Sequence, residues 1–261
     1  MMKIPIYQVD AFAGKQFAGN PAAVCLLKKW LPDELLHNIA AENNLSETAF
    51  LVEENNGWHI RWFTPRVEVN LCGHATLASA FTLFEQIGHD GDTISFHSKS
   101  GLLTVARRDD LLVLDFPAII SRPVEAPPGL IDGMGKAPQS VFVAEDYMLI
   151  YESEQDILAL RPRSAILAQV ECRGVIATAA GKDVDFVSRF FAPGCGIDED
   201  PVTGSAHCML TPYWAERLGQ SKMEARQLSP RGGELGCELV EERVLITGRA
   251  SLFMKGEITL L

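Results

Sequence analysis

Two loops and one turn of this chain carry the side chains that could move a proton. In the loop Gly196–His207, three acids (Asp198, Glu199 and Asp200) stand just before Gly204, which opens an apolar, helix-like run. A helix start carries N–H groups without an intrahelical partner and a partial positive charge. It can therefore hold a substrate carboxylate or stabilise negative charge developing on one. Gly204 would let a ligand come close to the backbone, and Ser205 would either cap the helix or donate to substrate. Capping alone would account for one or two of the acids. The loop Pro65–Thr76 follows the same logic, with Cys72, Gly73 and His74 at a helix start. Histidine titrates near neutrality and suits proton shuttling. A lone histidine is more often structural, but a second one, His207, in the other loop strengthens the case. Glu47 is the third candidate. It sits where the turn Asn44–Ser46 enters the apolar run Thr48–Val52. Partial desolvation there would raise a carboxyl pKa toward a useful range, although a turn glutamate is more often solvated.

The elements that position these residues repeat. Ile60–Pro65 is followed by Cys72–Thr76 and an apolar run to Gly88; Val187–Pro193 is followed by Gly204–His207 and a run to Gly219. Gly73 and Gly204 differ by 131, as do Gly88 and Gly219, whereas Pro65 and Pro193 differ by 128. The second copy therefore has three more residues between strand and helix. In each copy a strand-like run ends at a proline, a loop follows, and a helix closes at a glycine in the position that favours it. Extended runs are predicted at Ile4–Phe12, Ala22–Leu27, Thr48–Glu53, Thr93–His97, Leu102–Arg107, Leu111–Phe116, Val141–Ala144, Met148–Glu152, Val175–Thr178, Val244–Gly248 and Ala250–Ile258, with short helices at Pro32–Asn43 and Glu154–Leu160. Many strands with one long helix per half predict an α+β chain of two pseudo-symmetric halves, each a curved, mostly antiparallel sheet wrapped around a central helix. The stretch Pro123–Pro138, with four prolines and three glycines, reads as a linker or crossover loop. The expected halves are 1–122 and 123–261, with the C-terminal strand allowed to cross back into the first.

Composition narrows the function classes. A length of 261 residues fits two halves of ordinary domain size. The net charge of -11 argues against nucleic acid as a partner, since phosphate binding needs clustered Lys and Arg. No apolar run is long enough for a transmembrane span, and the first residues lack a signal-peptide stretch, so a cytoplasmic location is expected. Six cysteines are scattered without paired spacing, which predicts neither a zinc site nor a disulfide framework.

Taken together, Val9–Phe12, Phe17–Ala22, Ser46–Phe50, Cys72–Thr76 and Asp200–His207 make the chain resemble the PhzF-like (phenazine biosynthesis) isomerase family over essentially its whole length. The resemblance implies a diaminopimelate epimerase-like fold, an active site between the halves at the N-termini of both central helices, no metal or organic cofactor, and a homodimer. It implies that Glu47 acts as acid/base, moving a proton between carbons of a small carboxylate-bearing substrate, such as a dihydro-hydroxyanthranilate ring. His74, Asp200 and Ser205 would complete the catalytic set, and Cys72, Gly73, Ala75, Thr203, Gly204 and Ala206 would line the substrate.

Epimerases of the wider fold use one cysteine from each half. Here the offset of 131 carries Cys72 onto Thr203, so a two-thiol racemase is disfavoured and a single carboxyl fits better. Two alternatives stay open: an epimerase or racemase using Cys72 with another base, and a non-catalytic small-molecule-binding protein on the same scaffold.

Overall fold

The computed structural model describes residues 1–54 and 57–260. In chain order the elements begin β1 (Met2–Ala11), β2 (Asn20–Leu27), α1 (Asp33–Asn43), β3 (Glu47–Glu54), β4 (Gly57–Phe63), β5 (Glu68–Val69), α2 (Gly73–Phe81), β6 (Thr93–Ser98), β7 (Gly101–Arg108) and β8 (Leu111–Pro117). They continue β9 (Arg122–Pro123), α3 (Leu130–Met134), β10 (Ser140–Val143), β11 (Tyr147–Ile150), α4 (Glu154–Ala159), α5 (Ser164–Leu167), β12 (Val175–Ala180), β13 (Phe186–Ala192), β14 (Ile197–Asp200), α6 (Gly204–Leu218), β15 (Lys222–Gln227), β16 (Gly233–Val240), β17 (Arg243–Gly248) and β18 (Ala250–Leu260). The chain divides into two compact units, Met1–Asp115 with Thr247–Leu261, and Phe116–Ile246.

In the first unit β1 pairs antiparallel with both β18 and β2. β2 runs parallel to β3, β3 antiparallel to β4, and β4 parallel to β6, which leads into the β6–β7–β8 meander. Helix α2 touches strands β1, β2, β3, β7 and β18, so the sheet curls around it. Its residues His74 to Ala80 are buried on every side, as expected of a helix enclosed by a sheet rather than laid on one. Ala75, Ala78, Ser79 and Ala80 keep its girth small enough for that enclosure. The other face of the sheet is covered by α1, where Leu36, Ile39 and Ala40 pack on Ala23, Cys25, Phe50, Val52 and Phe63.

The second unit repeats the topology. β10 is antiparallel to β11, β11 parallel to β12, β12 antiparallel to β13, and β13 parallel to β15, which turns back into β16. The enclosed helix is α6, buried along most of its length despite Pro212 in its interior. Helices α3, α4 and α5 place Leu130, Met134, Ile157, Leu160 and Leu167 against Val141, Leu149, Val175 and Ala177 on the outer face. The glycines that end the two central helical segments, Gly88 (φ 82°) and Gly219 (φ 68°), both adopt the left-handed conformation expected of them.

A repeated ion pair marks the duplication at atomic level. Arg61 gives Nε and Nη2 to the two oxygens of Glu68, both at 2.8 Å. Arg189 gives the same atoms to Glu199 at 2.7 and 2.8 Å. The arginines differ by 128 and the glutamates by 131, the two offsets found on either side of the inserted loop. Each guanidinium lies over the phenylalanine two residues on, Phe63 or Phe191. The Arg61 guanidinium, through its hydrogen bonds, holds the Glu68 carboxyl down at about 2. Arg189 also donates to the Ile157 and Leu160 carbonyls at the end of α4, so Glu199 is part of a structural clamp rather than a helix cap.

Three sequence expectations change. Residues 123–138 are not all linker or crossover loop, because α3 within them buries Leu130 and Met134 in the core. The first central helix is α-helical only to Phe81 and widens into a π-turn over Thr82–Ile87. Strands β15 and β16 occupy a stretch in which no strand was expected.

Candidate active site

At the start of α2 the first unit gathers Asn20, Glu47, Cys72 and His74. Glu47 opens β3 at the mouth of four fully buried residues and is itself only 9 % exposed. Its Oε2 lies 3.2 Å from His74 Nε2, within ion-pair distance but off the line of a hydrogen bond. On the other side of the ring, His74 Nδ1 is 3.2 Å from Asn20 Nδ2 and 3.5 Å from Cys72 Sγ. With the Asn20 amide and the Cys72 thiol as donors, Nδ1 accepts and the ring proton is assigned to Nε2, on the side of Glu47. Burial pushes the His74 imidazole down to about 3 and keeps it neutral at pH 7. A neutral N–H 3.2 Å from a buried carboxylate needs only a small turn of either group to hold that carboxylate and follow its proton on and off. Asn20, fully buried and 54 residues from His74 in sequence, has no part in the sequence reading of the site beyond its place in a motif.

The second unit gathers Arg173, Asp200, Thr203, Ser205 and Gln227 at the start of α6. The Thr203 hydroxyl donates to Asp200 Oδ2, and its backbone N–H donates to Gln227 Oε1 at 2.8 Å. Gln227 Nε2 in turn donates to the Asp200 carbonyl at 2.7 Å and to Thr203 Oγ1 at 3.2 Å. Gln227 is 1 % exposed and fixes the corner that presents Asp200. Ser205 makes no cap; its oxygen accepts instead from Arg173 Nη1 at 3.1 Å. Neither helix receives a hydrogen bond from its N-cap side chain, Cys72 in α2 and Thr203 in α6.

Among the remaining candidates, Gly73 is half-buried and Gly204 buried, while Ala75 and Ala206 are enclosed within their helices at 0 % and 1 % exposure. Asp198 is exposed. The register set by the two glycines places Ser205, not His207, opposite His74, and His207 opposite Thr76. Thr76 donates to the Cys72 carbonyl, and His207 Nδ1 lies 2.8 Å from the Thr203 carbonyl; each bonds the carbonyl four residues back. His207 is therefore a structural residue and lends no support to His74.

The acid is not duplicated. Glu47 opens β3 opposite Ala22, and Val175 opens β12 opposite Tyr147; they differ by 128, like Arg61 and Arg189. Valine thus stands where the first copy has glutamate. Asp200 stands in turn where the first copy has Val69, each paired with its equivalent strand residue, Phe190 or Trp62.

Glu47, Cys72 and His74 also offer a carboxylate, a thiol and an imidazole within 4.8 Å of one another, a donor set of the kind that holds zinc. The carboxylate and thiol face different ring nitrogens of His74. One ion on one nitrogen would not lie between them, so the geometry suits proton transfer better than a metal cage.

Two sheets, each curled around a buried helix whose start carries polar side chains, make up the α+β fold of the diaminopimelate epimerase type. A probable proline racemase from Agrobacterium radiobacter shares that fold at a TM-score of 0.66 and 12 % identity, over 98 % of this chain and 93 % of the other. Residues 9–256 match the family model for phenazine biosynthesis-like proteins. An uncharacterized isomerase of Pseudomonas aeruginosa is 54 % identical over 99 % of this chain and 100 % of its own length. The crystal structure of a PhzF-family phenazine biosynthesis protein from Enterococcus faecalis superposes at a TM-score of 0.97, with 47 % identity over 99 % of this chain and 100 % of the other. The chain belongs to the PhzF-like phenazine biosynthesis family and is an enzyme of the isomerase class.

Proposed function

We propose that this isomerase moves a proton between carbons of a small carboxylate-bearing substrate, with Glu47 as the acid/base. The observation that carries the reading is the buried Glu47–His74 contact at 3.2 Å, in a duplicated fold that keeps only one such acid. A single carboxyl that removes a proton and returns it elsewhere on the same face needs no partner thiol. His74 steadies Glu47 in its two protonation states. Asp200 and Ser205, and the backbone N–H groups that follow Gly73 and Gly204, are the groups proposed to hold a substrate carboxylate and the charge that develops in the transition state. Cys72, Ala75, Thr203 and Ala206 complete the lining. As in the family it resembles, the reaction would need no metal or organic cofactor, and the enzyme would act as a cytoplasmic homodimer. Among the described residues no helix is long and apolar enough to cross a membrane.

The contact between Cys72 Sγ and His74 Nδ1 favours one second reading, an epimerase in which Cys72 is the base. The test is incubation in deuterated water with a panel of small carboxylates that includes the dihydro-hydroxyanthranilate, followed by NMR. The proton-moving reading expects deuterium in a product whose double bond has shifted. Exchange at one carbon with inversion, and loss of it in Cys72→Ser, would replace that reading with the epimerase.

A further inference from the structure

We infer that Arg173 is a positioning residue for this reaction, fixing the Ser205 hydroxyl as a donor to the substrate. The inference rests on the proposed role of Ser205 above. Arg173 Nε donates to Asp146 Oδ1 at 2.9 Å, and Nη2 donates to Asp146 Oδ2. Asp146 is 0 % exposed, and a planar guanidinium gripped at two points by a buried carboxylate has its remaining edge set in direction. That edge carries Nη1, which donates to Ser205 Oγ at 3.1 Å. The guanidinium also lies 5.8 Å from the centre of the Phe190 ring. Gly174, the next residue, permits this, because a Cβ there would sit 2.2 Å from Phe190 Cζ.

The consequence for Ser205 follows from its inventory of one donor and two lone pairs. Arg173 can only donate, so it occupies a lone pair, and the serine proton must point to another acceptor. A cation bonded to the oxygen also strengthens the hydroxyl as a donor. Ser205 is half-buried, on the second residue of α6. A substrate carboxylate or enolate oxygen there would meet an oriented O–H instead of a rotor. The arrangement has no copy in the first unit. By the 128 offset of the strand start, Arg173 falls opposite Leu45, and Tyr147 opposite Ala22 places Asp146 opposite Pro21. The clamp was thus added to, or kept by, the unit that lacks the acid/base.

The test is a double-mutant cycle on affinity for benzoate, an inert aromatic carboxylate, read by calorimetry on wild type, Ser205→Ala, Arg173→Gln and the double variant, with Arg173→Lys beside them. Melting curves check the fold of each. Positioning predicts that Ser205→Ala and Arg173→Gln each weaken benzoate about tenfold, in line with a charge-assisted hydrogen bond, and that the double variant is no weaker than either. Arg173→Lys should not restore affinity, since lysine lacks the fork. Additive losses, or full rescue by lysine, would show that Arg173 acts by direct contact or by charge alone, and would overturn the inference. Loss with Ser205→Ala but not with Arg173→Gln would overturn it while leaving the reading of Ser205 intact. No loss with Ser205→Ala, or no benzoate binding by wild type, would remove the carboxylate-holding role of Ser205 and the inference with it.

Discussion

Replacing His207 with glutamine would separate its structural role from its titration. The imidazole is fully buried, with Nδ1 2.8 Å from the Thr203 carbonyl, and burial pushes its pKa down to about 4. Glutamine keeps a donor for that carbonyl and has no proton to gain. In the unfolded chain a histidine titrates near 6.5, so between pH 6.5 and 4 the unfolded state binds a proton that the folded state refuses. A depressed histidine pKa therefore gives stability that is complete above pH 6.5 and is lost as the pH falls through this window. From pH 7 to pH 5 the loss from His207 is about 2 kcal/mol, nearly independent of the folded value so long as that lies below 5. His74, depressed to about 3 by burial, adds about the same. Asp146, whose carboxyl is raised by burial, pulls in the opposite direction, but equally in both proteins. Urea unfolding of wild type and His207→Gln at pH 7, 6 and 5 measures the difference. The variant is expected to be less stable at pH 7 yet to lose about 2 kcal/mol less on the way to pH 5. The same pH slope in both proteins would refute a buried, neutral His207.

Other changes probe the scaffold and the chemistry separately. Arg189→Met leaves the Glu199 carboxylate without its two-point donor and should cost about 2–4 kcal/mol, seen as a clear drop in melting temperature; an unchanged melt would mean the duplicated clamp is ornamental. Gln227→Ala removes three hydrogen bonds from the Asp200–Thr203 corner and should cost about 1–3 kcal/mol of stability in denaturant titration, with turnover falling as well; full activity would separate that corner from catalysis. Cys72→Ser should retain near-normal activity, and loss of turnover in a folded Cys72→Ser enzyme would favour a thiol base.

Much of this architecture can be read from the chain. The offsets of 128 and 131 locate the duplication, both glycine-closed helices and the inserted residues between strand and helix. The starts of α2 and α6 and the entrance of β3 are where the polar clusters form. What escaped the sequence has identifiable causes. Lys222–Gln227 alternates buried Met223, Ala225 and Gln227 with outward Lys222 and Glu224, but its residue types favour helix, and the alternation is short. Gly233–Val240 carries two glycines, which depress strand propensity. His207 looked like a mate for His74 because type outweighed register; aligning Gly73 with Gly204 already sets Ser205 in that place. Asn20, Gln227 and Arg173 reach the clusters from 24 to 54 residues away, and no local pattern announces such partners. Arg61 and Arg189 stand at the repeat offset in plain view, yet only the structure shows that each grips its own glutamate.

The most direct test of the acid/base assignment is deuterium incorporation by wild type and Glu47→Gln, side by side, with the panel carboxylate that wild type isomerises. Glutamine preserves the shape beside His74 but cannot accept the proton, so exchange and turnover should fall by about 10²–10⁴-fold, the usual contribution of a general base, with the melting temperature little changed. A folded Glu47→Gln enzyme that still exchanges at the wild-type rate would contradict the account.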